Sequence, residues 1–233
     1  EDVLKADGGP YVVFTAFALR ASSIPLAAAR GAPEGRFFKG ATGLEQPEAV
    51  WRKLAPAPNP ACPKGGRSAG IWLLERAAVL GDYGDGRDFP ARDATTRLSP
   101  HNKFGTVSPR EVVRAFRENT RWGGEMTRQM LWRDFFCHVA FHFPRVFGAA
   151  FKEEFDAMRW TGGEAALKRW RDGATGFPIV DAGMRELAAT GVMHNRVRMI
   201  AASFLVKDLH VDWREGERHF ATMLADYGPA VNN

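Results

Sequence analysis

Beyond residue 70 the chain punctuates itself with helix starts and stops, and no clear two-residue alternation of apolar and polar residues interrupts them. That pattern restricts it to an all-α fold. Ile71 to Leu80 predicts one short helix. Ser108-Pro109-Arg110-Glu111 combines a cap, a proline at the first helical position and a glutamate at the third, so a helix starts there and runs to about Asn119. Another covers about Glu125 to Phe143 and stops at Pro144. Gly163 to Arg171 ends before Asp172-Gly173, and Pro178 to Thr190 ends on Gly191 as its cap. His194 to Leu209 follows. Asp212-Trp213-Arg214-Glu215 reads as a second capping box, opening a helix to about Leu224.

The earlier part reads differently. A Gly-Gly-Pro turn at 8–10 precedes an apolar stretch from Tyr11 to Ile24. Seven of the 14 prolines then fall between Pro25 and Pro63. Residues 31–70 therefore predict a connector with one short helix near Pro47 to Leu54. The division expected is 1–30 as the N-terminal part of the helical domain, 31–70 as connector, and 71–233 as the main helical region.

Charge and cysteine usage narrow the function classes. The 32 Lys and Arg exceed the 27 Asp and Glu by 5, which points to an anionic partner such as nucleic acid, although an unoccupied basic surface is the plain alternative. Cys62 and Cys137 stand outside any Cys-x-x-Cys or His/Cys cluster, so neither a disulfide framework nor a metal site is expected. This usage fits a reducing, intracellular compartment. No apolar run is long enough to span a membrane. The first residues, Glu1-Asp2-Val3, carry no signal or transit pattern and no initiator Met, so a processed chain or a fragment is expected. No Ser/His/Asp or Cys/His triad and no Gly-rich phosphate loop occurs.

Six of the seven tryptophans have an arginine beside them: Trp51, Trp122, Trp132, Trp160, Trp170 and Trp213. Neighbours on a helix diverge by about 100°, so the pairs are not expected to stack. Trp inward and Arg at the rim describes an ordinary core, or a cavity for a flat anionic ligand or a flipped base. Thr95-Thr96-Arg97-Leu98-Ser99 gathers hydroxyls and an arginine before a helix, which suits a phosphate or merely a cap. Gln129, Trp132, Arg133 and Phe136 share a helix face that can hold a base and a phosphate, or can be a plain amphipathic face. Asn195, Arg198 and Met199 share a face from which Arg196 diverges, and Asp226 is the candidate carboxylate for a buried Arg198.

Together these segments resemble the photolyase/cryptochrome family, and most closely its cyclobutane-dimer photolyases. The strongest run is Trp170 to Arg185, beginning Trp-Arg-Asp-Gly-Ala-Thr-Gly-Phe-Pro. Met193-His194-Asn195-Arg196-Val197-Arg198-Met199, Ser203 to Leu209 and Asp212 to Arg218 continue it. Arg97-Leu98-Ser99-Pro100-His101 and Trp132-Arg133-Asp134-Phe135 fall in the family's order, and Tyr11 to Phe17 resembles the opening of its flavin domain.

The resemblance implies an all-helical domain that binds FAD, and light-driven splitting of pyrimidine dimers in damaged DNA. By position, Tyr83, Thr95, Thr96, Arg97, Leu98 and Ser99 are implied as contacts to FAD phosphates and ribose, with Arg133 near the phosphates. Arg198 and Asp226 are implied beside the flavin ring, with Asn232 at its reactive nitrogen. Arg87, Gln129, Trp132, Arg133, Asn195, Arg196 and Met199 are implied at the lesion or its strand. Trp160 and Trp213 match the outer and middle members of the family's electron-transfer chain of tryptophans.

Departures from the pattern accompany the matches. Gln129 stands where many dimer photolyases have Glu, Asn102 and Val192 replace an apolar and an aromatic residue, and Gly228 replaces a second Asp near the flavin. The family's N-terminal α/β antenna domain is not on this chain, so no antenna pigment is expected. The chain ends at Asn233, ahead of the segment that supplies the inner tryptophan, so an unfinished flavin pocket is expected. A blue-light sensor of cryptochrome type, and a flavin-free structural or nucleic-acid-binding module, are the two alternatives.

Overall fold

The computed structural model describes residues 3–28, 43–54, 57 and 59–232. All regular structure in the described residues is helical, apart from one bridge between Leu4 and Pro10. The elements are α1 (Phe14–Ser22), α2 (Pro47–Leu54), α3 (Arg67–Val79), α4 (Tyr83–Gly86), α5 (Ser99–Lys103), α6 (Pro109–Glu118) and α7 (Gly123–His142). After two 3-10 turns come α8 (Glu164–Arg171), α9 (Pro178–Thr190), α10 (Asn195–Lys207), α11 (Trp213–Met223) and α12 (Pro229–Asn232).

Most boundaries sit within a few residues of the sequence signals because the signals are local hydrogen bonds. The Ser108 hydroxyl accepts from the Glu111 N–H at 3.3 Å and the Glu111 carboxylate accepts from the Ser108 N–H at 2.8 Å, closing the capping box of α6. Arg67 grips the same carboxylate with both terminal nitrogens, and its guanidinium, with the Ser108 N–H, holds the Glu111 acid at about 2. Gly191 ends α9 with φ of +71°, a conformation that favours glycine. The expected box at α11 is half present: Asp212 accepts from the Arg214 N–H at 3.0 Å, whereas Glu215 turns to Arg171 and Arg218. Helix α3 begins at Arg67, four residues ahead of the apolar run, because its first turn is polar or small and escapes a periodicity search.

Two separate cores result. The C-terminal one gathers Leu167, Trp170, Met184, Leu187, Val197, Leu205 and Phe220 from α8 to α11. Trp170 is fully buried and donates its indole N–H to the Ala201 carbonyl at 2.9 Å. Helices α9 and α10 approach closely at Gly183, where a Cβ would lie 2.1 Å from a Val197 methyl. The second core gathers Leu73, Leu74, Tyr83, Leu98, Val107, Phe116 and Met126 from α3 to α7. Phe14, Phe17 and Phe135 join α1 to α7 in a smaller cluster. The seam between the two large cores is crossed by α12, which packs on both α7 and α11.

The tryptophans depart from the inward-Trp expectation. Trp170 is buried, but Trp51 is 64% exposed. Arg121 lies over the Trp122 ring at 5.0 Å and Arg214 over the Trp213 ring at 4.9 Å, so two neighbouring pairs do stack. Arg121 and Trp122 precede α7, and Trp122 has a non-helical φ of −119°, so the 100° divergence does not apply there. Trp213 and Arg214 are both inside the first turn of α11, where the long arginine side chain reaches over the ring in spite of that divergence.

Asp181, near the start of α9, carries a pH prediction. It accepts from the Thr175 N–H at 2.8 Å, the Thr175 hydroxyl at 2.5 Å and the Gly176 N–H at 2.9 Å. Burial pushes its carboxyl up, but these bonds together outweigh burial and leave it below the usual carboxylate range. A lowered folded pKa means the stabilisation is complete above the unfolded value of roughly 3.9 and is lost as pH falls through the folded one. Thermal unfolding of the wild type and Asp181→Asn should therefore differ most at pH 7 and converge on acidification. A constant gap in melting temperature down to pH 3 would refute this account.

Candidate functional site at the seam between the cores

Arg198 is the centre of the seam. It lies one turn into α10, which is capped by His194, whose Nδ1 accepts from the Arg196 N–H at 3.2 Å. Burial lowers the His194 pKa, which keeps the imidazole neutral and able to accept. Arg198 donates from one terminal nitrogen to both oxygens of Asp226 at 3.0 and 3.2 Å, and from the other to the Asn232 side-chain oxygen at 2.9 Å. The side chains of Arg198 and Asp226 are only 17% and 7% exposed. Charge-assisted bonds of this kind offset the cost of burying both ions. The Nε–H of Arg198 is buried and has no partner among the described residues, leaving one donor of a fixed cation unsatisfied there.

Across the seam stand α4 and the loop after it. Tyr83 is buried, and burial raises its phenol pKa. Arg87 lies 5.6 Å from the centre of the Tyr83 ring and donates to Glu125 at 2.9 Å. Its neighbour Asp88 accepts from the Arg196 Nε at 2.6 Å, tying this loop to the start of α10. Arg87, Asn195 and Arg196 are thus brought to one seam, together with Met199, whose sulfur lies 3.6 Å from the Asn195 amide. Gln129 is exposed on α7, donating weakly to the Glu125 carbonyl at 3.4 Å.

The Thr95–Ser99 segment leads into α5, and no side chain caps that helix. The simple capping explanation for these hydroxyls therefore fails. Arg97 has φ of +53° and pairs with Asp93 at 2.8 Å. Leu98 is 1% exposed, so its side chain belongs to the second core and only its backbone is available to a ligand. Arg133 pairs with its neighbour Asp134 at 3.3 Å, and no ion pair or hydrogen bond joins it to Thr95–Ser99 among the described residues.

Trp132 is not free on both faces. Phe14 stacks on it with centroids 3.5 Å apart and planes 4° apart, and Phe136 lies 5.6 Å away at 26°. Trp160 and Trp213 flank the first turn of α11. Trp160 lines a hollow of about 210 Å³ with Asp212 and Glu215, and Trp213 lines one of about 190 Å³ with Phe147 and Arg214. Gly228 precedes α12 and puts no charge beside the Arg198 cluster.

The sequence pattern described as the FAD binding domain of DNA photolyase matches residues 126–233. The deoxyribodipyrimidine photo-lyase of Streptomyces griseus is 47% identical over 178 residues, 75% of this chain and 38% of the relative. That of Agrobacterium fabrum is 39% identical over 239 residues, 97% of this chain and 50% of the relative. The archaeal photolyase of Sulfolobus tokodaii, solved with two FAD molecules, superimposes with a TM-score of 0.84 at 39% identity, covering 99% of this chain and 51% of that one. The chain belongs to the photolyase/cryptochrome family. It spans between 38% and 51% of the length of these photolyase relatives.

Within this photolyase-type domain, the residues that sequence reasoning missed are the partners. Asp88, Glu125 and Phe14 each hold a candidate residue, yet Asp88 lies 108 positions from Arg196. The only signal was the proximity of Asp88 to Arg87 in the chain. No helix among the described residues is long and apolar enough to cross a membrane.

Proposed function

We propose that this chain is the FAD-binding and DNA-binding part of a light-driven enzyme that repairs cyclobutane pyrimidine dimers. The observation that carries the reading is the Arg198–Asp226–Asn232 cluster, a pre-organised cation, carboxylate and amide with one guanidinium donor unsatisfied. Such a donor set fits the polar edge of a flavin ring, and Tyr83, Thr95, Thr96, Arg97, Ser99 and the Leu98 backbone fit the phosphate and ribose end. FAD, when bound and reduced, supplies the photoexcited electron that splits the dimer.

The chain's own residues position and insulate. Asp226 keeps Arg198 in one orientation, and the pair fixes the electrostatics at the seam. Asn232 is held by Arg198 and presents its amide to the same place. Arg87 and Arg196 carry the charge for the phosphate backbone, and Asn195 with Met199 makes the mixed polar and apolar contact that a flipped dimer needs. Trp132 approaches the lesion by its edge or by what Phe14 and Phe136, both stacked on it, leave uncovered. Gln129 and Arg133 lie on the same helix as rim contacts. Trp160 and Trp213 serve as electron-transfer relays.

The presence of Asn195, Arg196 and Met199 together favours repair over a sensor. Gly228, which leaves the cluster one carboxylate short of the family pattern, favours a flavin-free module instead. The absorption spectrum of the purified protein separates them. A flavin spectrum with light-dependent loss of dimers from DNA is the expected result. Flavin without dimer loss would move the reading to a sensor, and a protein that stays colourless when supplied with FAD would remove the flavin reading altogether.

A further inference from the structure

Arg196 is half-exposed at the start of α10, on a long side chain that nothing on its own helix restrains. Its Nε donates to Asp88 at 2.6 Å, and the two side chains are 44% and 53% exposed. Among the described residues that is the only hydrogen bond or ion pair of the guanidinium. The two terminal nitrogens, the fork that pairs bidentately with a phosphate, are left open. Asp88 therefore occupies the side of the group and leaves its end free. Arg196 also holds the Asp88 carboxyl below its usual range. The neighbouring Arg87 is held differently: Glu125 accepts from one of its terminal nitrogens at 2.9 Å, so part of that fork is already taken.

From this arrangement we infer that Asp88 is a positioning residue, which orients the Arg196 fork toward a phosphate of the bound strand. The inference rests on the DNA-binding reading above. A flexible arginine must lose rotamer freedom on meeting a phosphate, and a fork already aimed loses less. The sign of the effect separates this from simple electrostatics. Removing an exposed negative charge beside a DNA site tightens binding if charge alone matters. Removing the group that aims Arg196 weakens it.

The test is anisotropy titration of the whole chain with a short duplex carrying one thymine dimer, at fixed salt. Asp88→Ala should weaken binding by about fivefold, despite the lost negative charge. Asp88→Asn, which keeps an oxygen acceptor for Nε, should restore wild-type affinity or better. In an Arg196→Ala background, Asp88→Ala should cause no further loss. Unchanged or tighter binding by Asp88→Ala, or an equal loss in both backgrounds, overturns the positioning role while leaving the DNA reading intact. If Arg196→Ala by itself leaves affinity unchanged, the DNA reading at this residue fails and the inference falls with it. Both side chains are substantially exposed, so these variants keep the fold, which circular dichroism checks.

Discussion

Arg198→Leu should lower the stability of this chain by about 3–5 kcal/mol, because it strands a buried carboxylate. Asp226 is 7% exposed and its cation is Arg198. The substitution removes both bonds to Asp226, the bond to Asn232 at 2.9 Å and the one to the Met193 carbonyl at 3.3 Å. Asn232 lies on α12, which crosses the seam, so the loss should also loosen the junction between the two cores. Urea unfolding measures the first effect, and a loss of FAD uptake by the purified chain measures the second. Replacing Arg198 and Asp226 together by apolar residues should cost less than Arg198→Leu alone, since no charge is then left unpaired. A double variant as unstable as the single one would show that packing, not the ion pair, dominates this place.

Asn119→Leu should cost about 2–4 kcal/mol, for a different reason. Asn119 is buried between the end of α3 and the start of α7. Its amide nitrogen donates to the Ala77 and Leu80 carbonyls at 3.1 and 2.9 Å. Its oxygen accepts from the Arg121 and Trp122 N–H groups at 3.1 and 2.9 Å. One side chain thus closes four backbone groups at the end of one helix and the start of another. Leucine has similar volume and satisfies none of them. Asn119→Asp keeps the acceptor half but sets a second carboxylate oxygen against the Ala77 and Leu80 carbonyls, so it should cost at least as much as leucine. Equal stability of the leucine variant and the wild type would mean that water replaces the amide here.

The two expected effects bear differently on what could be foreseen. The pairing of Arg198 with Asp226 is legible as a candidate, because a buried arginine demands a carboxylate. The face that Arg198 shares with Asn195 and Met199 does not by itself mark burial, since Met199 is 54% exposed. Asn119 showed only as a helix end. Its bonds to Ala77 and Leu80 depend on where α3 finishes relative to α7, which no local pattern records. The stacked Trp122 and Trp213 pairs lie outside what the helical angle foretells: Arg121 and Trp122 precede α7, and the Arg214 side chain is long enough to reach over the Trp213 ring within α11. Leu98 belongs to a motif implied to touch the ligand, and burial of its side chain in the core, which no local pattern records, leaves that role to its backbone.

By itself, the sequence determined that the chain is helical, where most helices begin and end, and that its motifs are those of the photolyase family. Caps, prolines and apolar periodicity act over three or four residues, so their meaning does not depend on the rest of the fold. Only the tertiary structure decided that two cores meet at a seam, that Asp88 holds Arg196 and that Phe14 covers one face of Trp132. Those pairings join groups far apart in the chain. Their partners are chosen by how the helices pack, and shape and burial set that packing.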